Sequence, residues 1–162
     1  MVTPADQDDA GSRSLALVVG GHHDIEEGRA TAEPDVFADD AEFEAHGRVF
    51  RGRSEILDFL RAREADTARQ TVHVLANEVT TAQAGGPHGK SVQLPALILL
   101  HVWQPDGAYV LDRVLNTTHQ FRRAGGKWRI TRRTSRPLHP TVDGQGGPHD
   151  DDDPPDRDRT RG

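Results

Sequence analysis

The stretch TVHVLANEV, Thr71–Val79, alternates in the manner of a β-strand and sets an imidazole into the pattern. Alternate strand residues share a face, so Thr71, His73, Leu75, Asn77 and Val79 look one way. Val72, Val74, Ala76 and Glu78 look the other. A histidine beside Leu75 and Val79 is either a core residue satisfied by a backbone carbonyl or a general acid–base. Its ordinary pKa of about 6.5 suits proton transfer near neutrality. Asn77, four residues on, would add a carboxamide to the same face.

Other histidines stand in comparable settings. In LPALILLHVW both faces are apolar, which makes the strand sandwiched and His101 partly buried; Leu97, Leu99 and Trp103 share its face. In YVLDRVLNTTHQFRR, Leu111, Leu115, Thr117 and Phe121 read as inward, with Arg113 and His119 among them. Asp112, Val114, Asn116, Thr118 and Gln120 read as outward. GGHHDIEEGR places His22, His23 and Asp24 in a helix, where adjacent side chains diverge by about 100° and cannot chelate as one face. No metal site is expected there. The 162 residues contain no cysteine, which excludes disulfides, thiolate metal sites and thiol catalysis.

These residues need elements to hold them. Ser14–Arg29 reads as a helix despite Gly20–Gly21, and Pro34 opens a second short helix to about Ala38. DDAEFEAHGRVFRG reads as two short strands around a Gly47 turn. Ser54 is the expected N-cap of SEILDFLRAREADTARQ, with Ile56, Leu57, Leu60 and Phe59 as its apolar stripe. From Thr71 the period is two, with strands expected at 71–82, 92–104, 107–122 and 127–136 between Gly-rich breaks. Helices followed by a strand meander make an α+β chain.

The ends read differently from the middle. Residues 140–162 hold seven Asp against three Arg, and residues 1–13 hold three Asp against Arg13. They account for the net charge of −6, leaving a body with sixteen charges of each sign. A neutral body without a basic stripe argues against nucleic-acid binding. The expected division is a disordered N-terminus (1–13), one domain (14–139) and a disordered acidic tail (140–162). No run of eighteen apolar residues predicts a membrane span, and MVTPADQDDAGSRS lacks the order of a secretion signal; the composition suits the cytoplasm.

The order VFADDAEFEAHGRVFRGRSEILDFL, TVHVLANEV, FRRAGGKWRITRR resembles the SnoaL-like group of the nuclear-transport-factor-2-like superfamily. Its pattern is a Gly before a short strand, G-x-x-x-I opening a helix, H-x-x-x-N on a strand and W-R-I-x-x-R near the end. The resemblance covers Ser14–Pro137 and implies a cone: a curved antiparallel sheet wrapped around N-terminal helices, with a pocket at the wide end. His73 and Asn77 would point into that pocket. Dehydratases of this superfamily place an aspartate on the first helix beside the strand histidine, which implies Asp24, although Glu26 or Glu27 could take that position. A carboxylate there would fix the tautomer of the imidazole and raise its basicity. The same dehydratases carry a second strand histidine near the place of His101.

What the resemblance implies is a cofactor-independent enzyme of polyketide- or terpenoid-like metabolism: a dehydratase, isomerase or cyclase. His73, Asp24 and His101 are the expected catalytic residues. Asn77, Thr117, His119, Trp103, Trp128, Phe43 and Phe50 are expected to bind substrate. Neither metal nor cofactor is implied, and pairing of two copies through the outer face at Val114, Asn116 and Thr118 is expected. Arg133, closing the W-R-I-x-x-R motif, reads as a surface or end-of-strand salt-bridge residue, with a pocket cation as the alternative. The stretch WRITRRTSR has no acid, which disfavours epoxide hydrolysis and aldol cyclisation as relatives perform them. With Tyr109 as the single tyrosine, the water relay of scytalone dehydratase is not reproduced. The alternatives are a pericyclic cyclase that shapes a reactive substrate, and a non-catalytic ligand-binding module.

Overall fold

The computed structural model describes residues 4–86 and 89–138. The expected acidic tail, 140–162, lies outside them.

Helix α1 spans Pro4–Glu26, so it starts ten residues before the expected boundary at Ser14. The correction has a packing cause. Ala10, Ser14 and Val18 are all buried, at the spacing of four that lines up one helix face. Residues expected to lie outside the domain therefore supply the first turns of its buried stripe. Continued by four, that stripe runs to His22 and then Glu26. Among the described residues no helix is long and apolar enough to cross a membrane.

After α1 the short helix expected from Pro34 to Ala38 is a single 3-10 turn, Pro34–Val36. Phe37 and Ala38 leave it because they are buried in strand β1, Phe37–Ala45, where Phe37 pairs with Ile130. A two-residue turn at His46–Gly47, both at positive φ, joins β1 to β2, Arg48–Arg51. Helix α2 is Gly52–Ala65. It opens two residues before Ser54, at a glycine with φ of 80° that lies close to the Asp39 carbonyl. The Arg51 N–H donates to Glu55 Oε2 at 2.8 Å, so a carboxylate takes the capping task expected of the Ser54 hydroxyl. Ile56 and Leu60 carry the buried face, as the stripe predicted.

The long strands are β3 (Thr71–Ala76), β4 (Thr81–Gly86), β5 (Gly89–Trp103), β6 (Tyr109–Ala124) and β7 (Lys127–Pro137). The single strand expected over 71–82 is thus two. Asn77 adopts φ of 53°, in the left-handed region, and breaks the run. β3 pairs with the Leu97–Val102 half of β5, and β4 with its beginning. Pro95, which has no N–H for a ladder, lies between the two paired regions, and its carbonyl takes the Val79 N–H at 3.1 Å.

The sheet order is β2-β1-β7-β6-β5-β3, with β4 also on β5. Among the described strands only the β1–β7 pair is parallel. The result is the expected α+β cone, a curved sheet with its helices packed on the concave side. Bulges help bend it and decide which residues face in. On β6, Leu100 pairs with Arg113 but His101 with Leu111, which leaves Asp112 as the extra residue. Arg113 and Leu115 therefore face inward, while Leu111, expected inward, is 47 % exposed on the outer face. On β7 the shift between Ile130 and Arg132 leaves Thr131 extra. Trp128 and Ile130 point in before it; Arg133 and Ser135 point in after it.

Candidate functional site

The concave side of the sheet, α1 and α2 enclose a cavity of about 680 Å³. That is the size of a small-molecule site. Leu17, Ile25, Phe37, Phe43, Phe59, Leu60, Leu100, Leu115 and Ile130 supply apolar wall. Set into that wall are His22, His73 and His119, with Arg63, Arg69, Arg113 and Arg133, and the carboxylates Asp24 and Glu33.

His73 faces the cavity from the middle of β3, opposite Leu100. Its ring lies against that of His22, with centroids 4.6 Å apart and planes tilted by 31°. His22 arrives there because it continues the Ala10–Ser14–Val18 stripe, whereas His23, one residue on, is exposed. The carboxylate beside His73 is Glu26 rather than Asp24. The His73 backbone N–H donates to Glu26 Oε1 at 2.6 Å. His73 Nδ1 lies 3.5 Å from the same oxygen, too far for a good hydrogen bond. Asp24 lines the cavity but pairs with Arg29 at 3.2 Å. Asp24 is drawn to Arg29, while Glu26, the last residue of α1 and four residues on from His22, is placed beside β3.

His119 stands on β6, buried, with its ring stacked over Phe121 at 6.3 Å. Its register partner is Arg133 on β7. Arg133 is 9 % exposed, and its Cζ sits 4.6 Å above the centroid of Phe43. Its NH1 donates to the Glu44 carbonyl at 3.3 Å. The surface or end-of-strand salt-bridge reading of Arg133 is thereby overturned in favour of the pocket cation, since the bulge at Thr131 turns its side chain inward. The Glu44 carboxylate bonds Arg136 instead, at 3.0 Å.

Burial and this guanidinium act together on the imidazoles. Desolvation, followed by the charge of Arg133, pulls His73 down to about 4 and His119 to about 3. His22 is lowered well below its ordinary value by burial, then by His73, Arg133 and His119. Burial also lowers Arg133, to about 10, which leaves it charged at neutral pH. The cavity thus holds neutral imidazoles beside a fixed cation. Nδ1 of His22, His73 and His119 is buried without a hydrogen-bond partner.

Several residues expected in the site lie elsewhere. Asn77 is exposed beyond the end of β3, because its left-handed φ takes it out of the strand alternation. His101 pairs with Val72 and Leu111 on the outer face, one residue out of phase with Leu100. Trp103 is on that face too, 42 % exposed, with its ring edge-on to Tyr109 at 5.0 Å. Thr117 is buried but its hydroxyl donates to the Ala96 carbonyl. Trp128 belongs to the packed core, and Phe50 packs on Phe59 at 4.5 Å; neither lines the cavity. Of the expected residues, His73, Asp24, His119 and Phe43 do line it. His22 and Arg133 join them in the lining, and Glu26, the alternative to Asp24, meets His73 through its backbone N–H.

Residues 23–134 match the family described as the SnoaL-like domain. No curated protein matches the chain in sequence. Similar solved structures include a nuclear-transport-factor-2-like protein with a cystatin-like fold from Novosphingobium aromaticivorans. It is 20% identical with a TM-score of 0.68, covering 88% of this chain and 94% of its own length. A candidate dehydratase of the same superfamily from Streptomyces avermitilis is 15% identical, with a TM-score of 0.67 over 82% of this chain and 98% of its own. A candidate aromatic ring hydroxylase from Novosphingobium aromaticivorans is 22% identical, with a TM-score of 0.63 over 85% and 93%. At these identities the likeness is one of fold.

Proposed function

Since the chain belongs to the SnoaL-like domain family, whose members include enzymes acting on small molecules, we propose that its cavity performs cofactor-independent proton transfer on a polyketide- or terpenoid-like carbonyl compound. The outcome would be dehydration, isomerisation or cyclisation. The observation that carries this reading is the His22–His73 pair, neutral and in ring contact inside the cavity, with Nδ1 of each unpartnered. His73 acts as the general base, removing a proton from carbon next to the carbonyl. Glu26 fixes its backbone, and His22 packs against its ring.

The low basicity of His73 favours one second reading. A base with a pKa of about 4 abstracts carbon-bound protons poorly, so the cavity could instead fold a reactive ligand into a productive conformer, as a pericyclic cyclase does. The two readings separate in heavy water. Incorporation of deuterium next to the carbonyl of 2-tetralone, above the buffer rate, should occur with the wild type. It should fall by about 10² or more in His73→Asn, the scale of one positioned acid–base group. No enzymic incorporation by the wild type would favour the mould. We further propose that two copies associate through the outer face of the sheet, where Val74, Trp103, Tyr109 and Leu111 are exposed.

A further inference from the structure

Among the charged side chains of the cavity, Arg133 stands apart. Arg63 is held by the Arg69 carbonyl at 2.8 Å and the Thr71 hydroxyl at 3.1 Å, and Arg113 bonds Asp112. Asp24 is taken by Arg29. Arg133 has none of these outlets. It is nine-tenths buried, it gives one N–H to a backbone carbonyl, and among the described residues no carboxylate lies within ion-pair distance of it. A guanidinium carries five donors, and its removal from water is costly unless an anion or several acceptors receive them.

The surroundings of Arg133 are arranged for an anion rather than a neutral acceptor. His119 faces it across the β6–β7 pair, and Ser135, two residues along the same inward line, is also buried against the cavity. One face of the guanidinium is covered by Phe43, which leaves its edge as the polar surface. A planar carboxylate meets such an edge with two parallel hydrogen bonds, a geometry that lysine and neutral acceptors do not reproduce.

We propose that Arg133, with His119 and Ser135 beside it, forms a carboxylate-binding subsite, so that the ligand of this cavity is an apolar or aromatic acid bound as its anion. The inference shares the cavity with the proposed proton-transfer site and deepens that reading by naming the class of ligand. Binding alone tests it, and binding does not depend on whether His73 transfers a proton.

The experiment uses two unreactive probes of nearly equal shape, 2-naphthoate and 2-naphthamide, titrated calorimetrically into the full chain at pH 7.5. The wild type should bind the carboxylate about 30-fold or more tightly than the amide, the scale of a buried charge pair losing one partner. Arg133→Met should abolish that preference by weakening the carboxylate and not the amide. Its melting temperature should hold or rise, because a desolvated charge has been removed. If Arg133 is a structural strut for β1, the same variant will melt lower and keep the preference, which overturns the proposal. Equal affinities in the wild type, or no binding of naphthoate, overturn it without any variant. His73→Asn should retain the preference, so failure of the acid–base reading and failure of this subsite give different results.

Discussion

Lowering the pH should unfold this protein through its buried histidines before its carboxylates titrate. His73 is held near 4 and His119 near 3, against about 6.5 in the unfolded chain. In that window the unfolded chain binds more protons than the folded one, so stability is complete above about pH 6.5 and declines as the pH falls. Taking those values, each of the two costs the fold about 2 kcal/mol between pH 7.5 and pH 5, and about 4 kcal/mol together. His22, shifted in the same direction, adds to the loss. A domain with about 5–15 kcal/mol in total would lose a large part of it. Urea unfolding at pH 7.5, 6.5, 5.5 and 5 measures this directly. His119→Asn should reduce the loss between the extremes by about 2 kcal/mol, whatever it does to stability at pH 7.5. A stability that stays flat from pH 7.5 to 5, or a pH dependence that His119→Asn leaves untouched, would refute the claim that the cavity keeps these rings neutral.

Glu26→Ala should slow deuterium incorporation more than Glu26→Gln, since glutamine still accepts the His73 N–H; Asp24→Asn should cost less than either, because Asp24 is turned toward Arg29. Relative rates under one set of conditions check the order. Deleting residues 1–13 removes the buried Ala10 and the contact between Gly11 and Thr80, and should lower the melting temperature by a few degrees, on the scale of about 1 kcal/mol. A melting temperature unchanged by the deletion would show that the first turns of α1 add nothing. Sedimentation at tens of micromolar should give twice the chain mass of 17.8 kDa, and Leu111→Lys on the outer face should shift it toward the monomer.

The alternation of β5 and the inward line Leu115–Thr117–Phe121 were legible in the sequence because period two continues unbroken along those stretches. The family resemblance placed His73 in a cavity for the same reason: it sits before the break at Asn77. What could not be read was every residue beyond a change of phase. Asn77 itself leaves β3 through a left-handed φ, Leu111 lies across the Asp112 bulge from Arg113, and Arg133 lies past the bulge at Thr131. A bulge costs one residue of register and moves all later side chains to the other face, and no local pattern marked either. Glu26 already stood as the alternative to Asp24, and His22 was recoverable. Ala10, Ser14 and Val18 already form a line of small and apolar residues at intervals of four, which His22 and Glu26 extend. The first turns of that helix, rich in Asp, read as tail, and the phase of the buried face is lost with them.

The central claim is that His73 moves a proton, and the acid limb of the pH–rate profile tests it most directly. Deuterium incorporation into 2-tetralone at low substrate concentration reports kcat/KM, whose limb belongs to the free protein. The rate should hold from pH 7.5 down to about 5 and fall only as His73 protonates near 4, with stability checked at each pH. The residual rate of His73→Asn should lack that limb. A wild-type limb near 6.5, or a limb near 4 that persists in His73→Asn, would contradict the account.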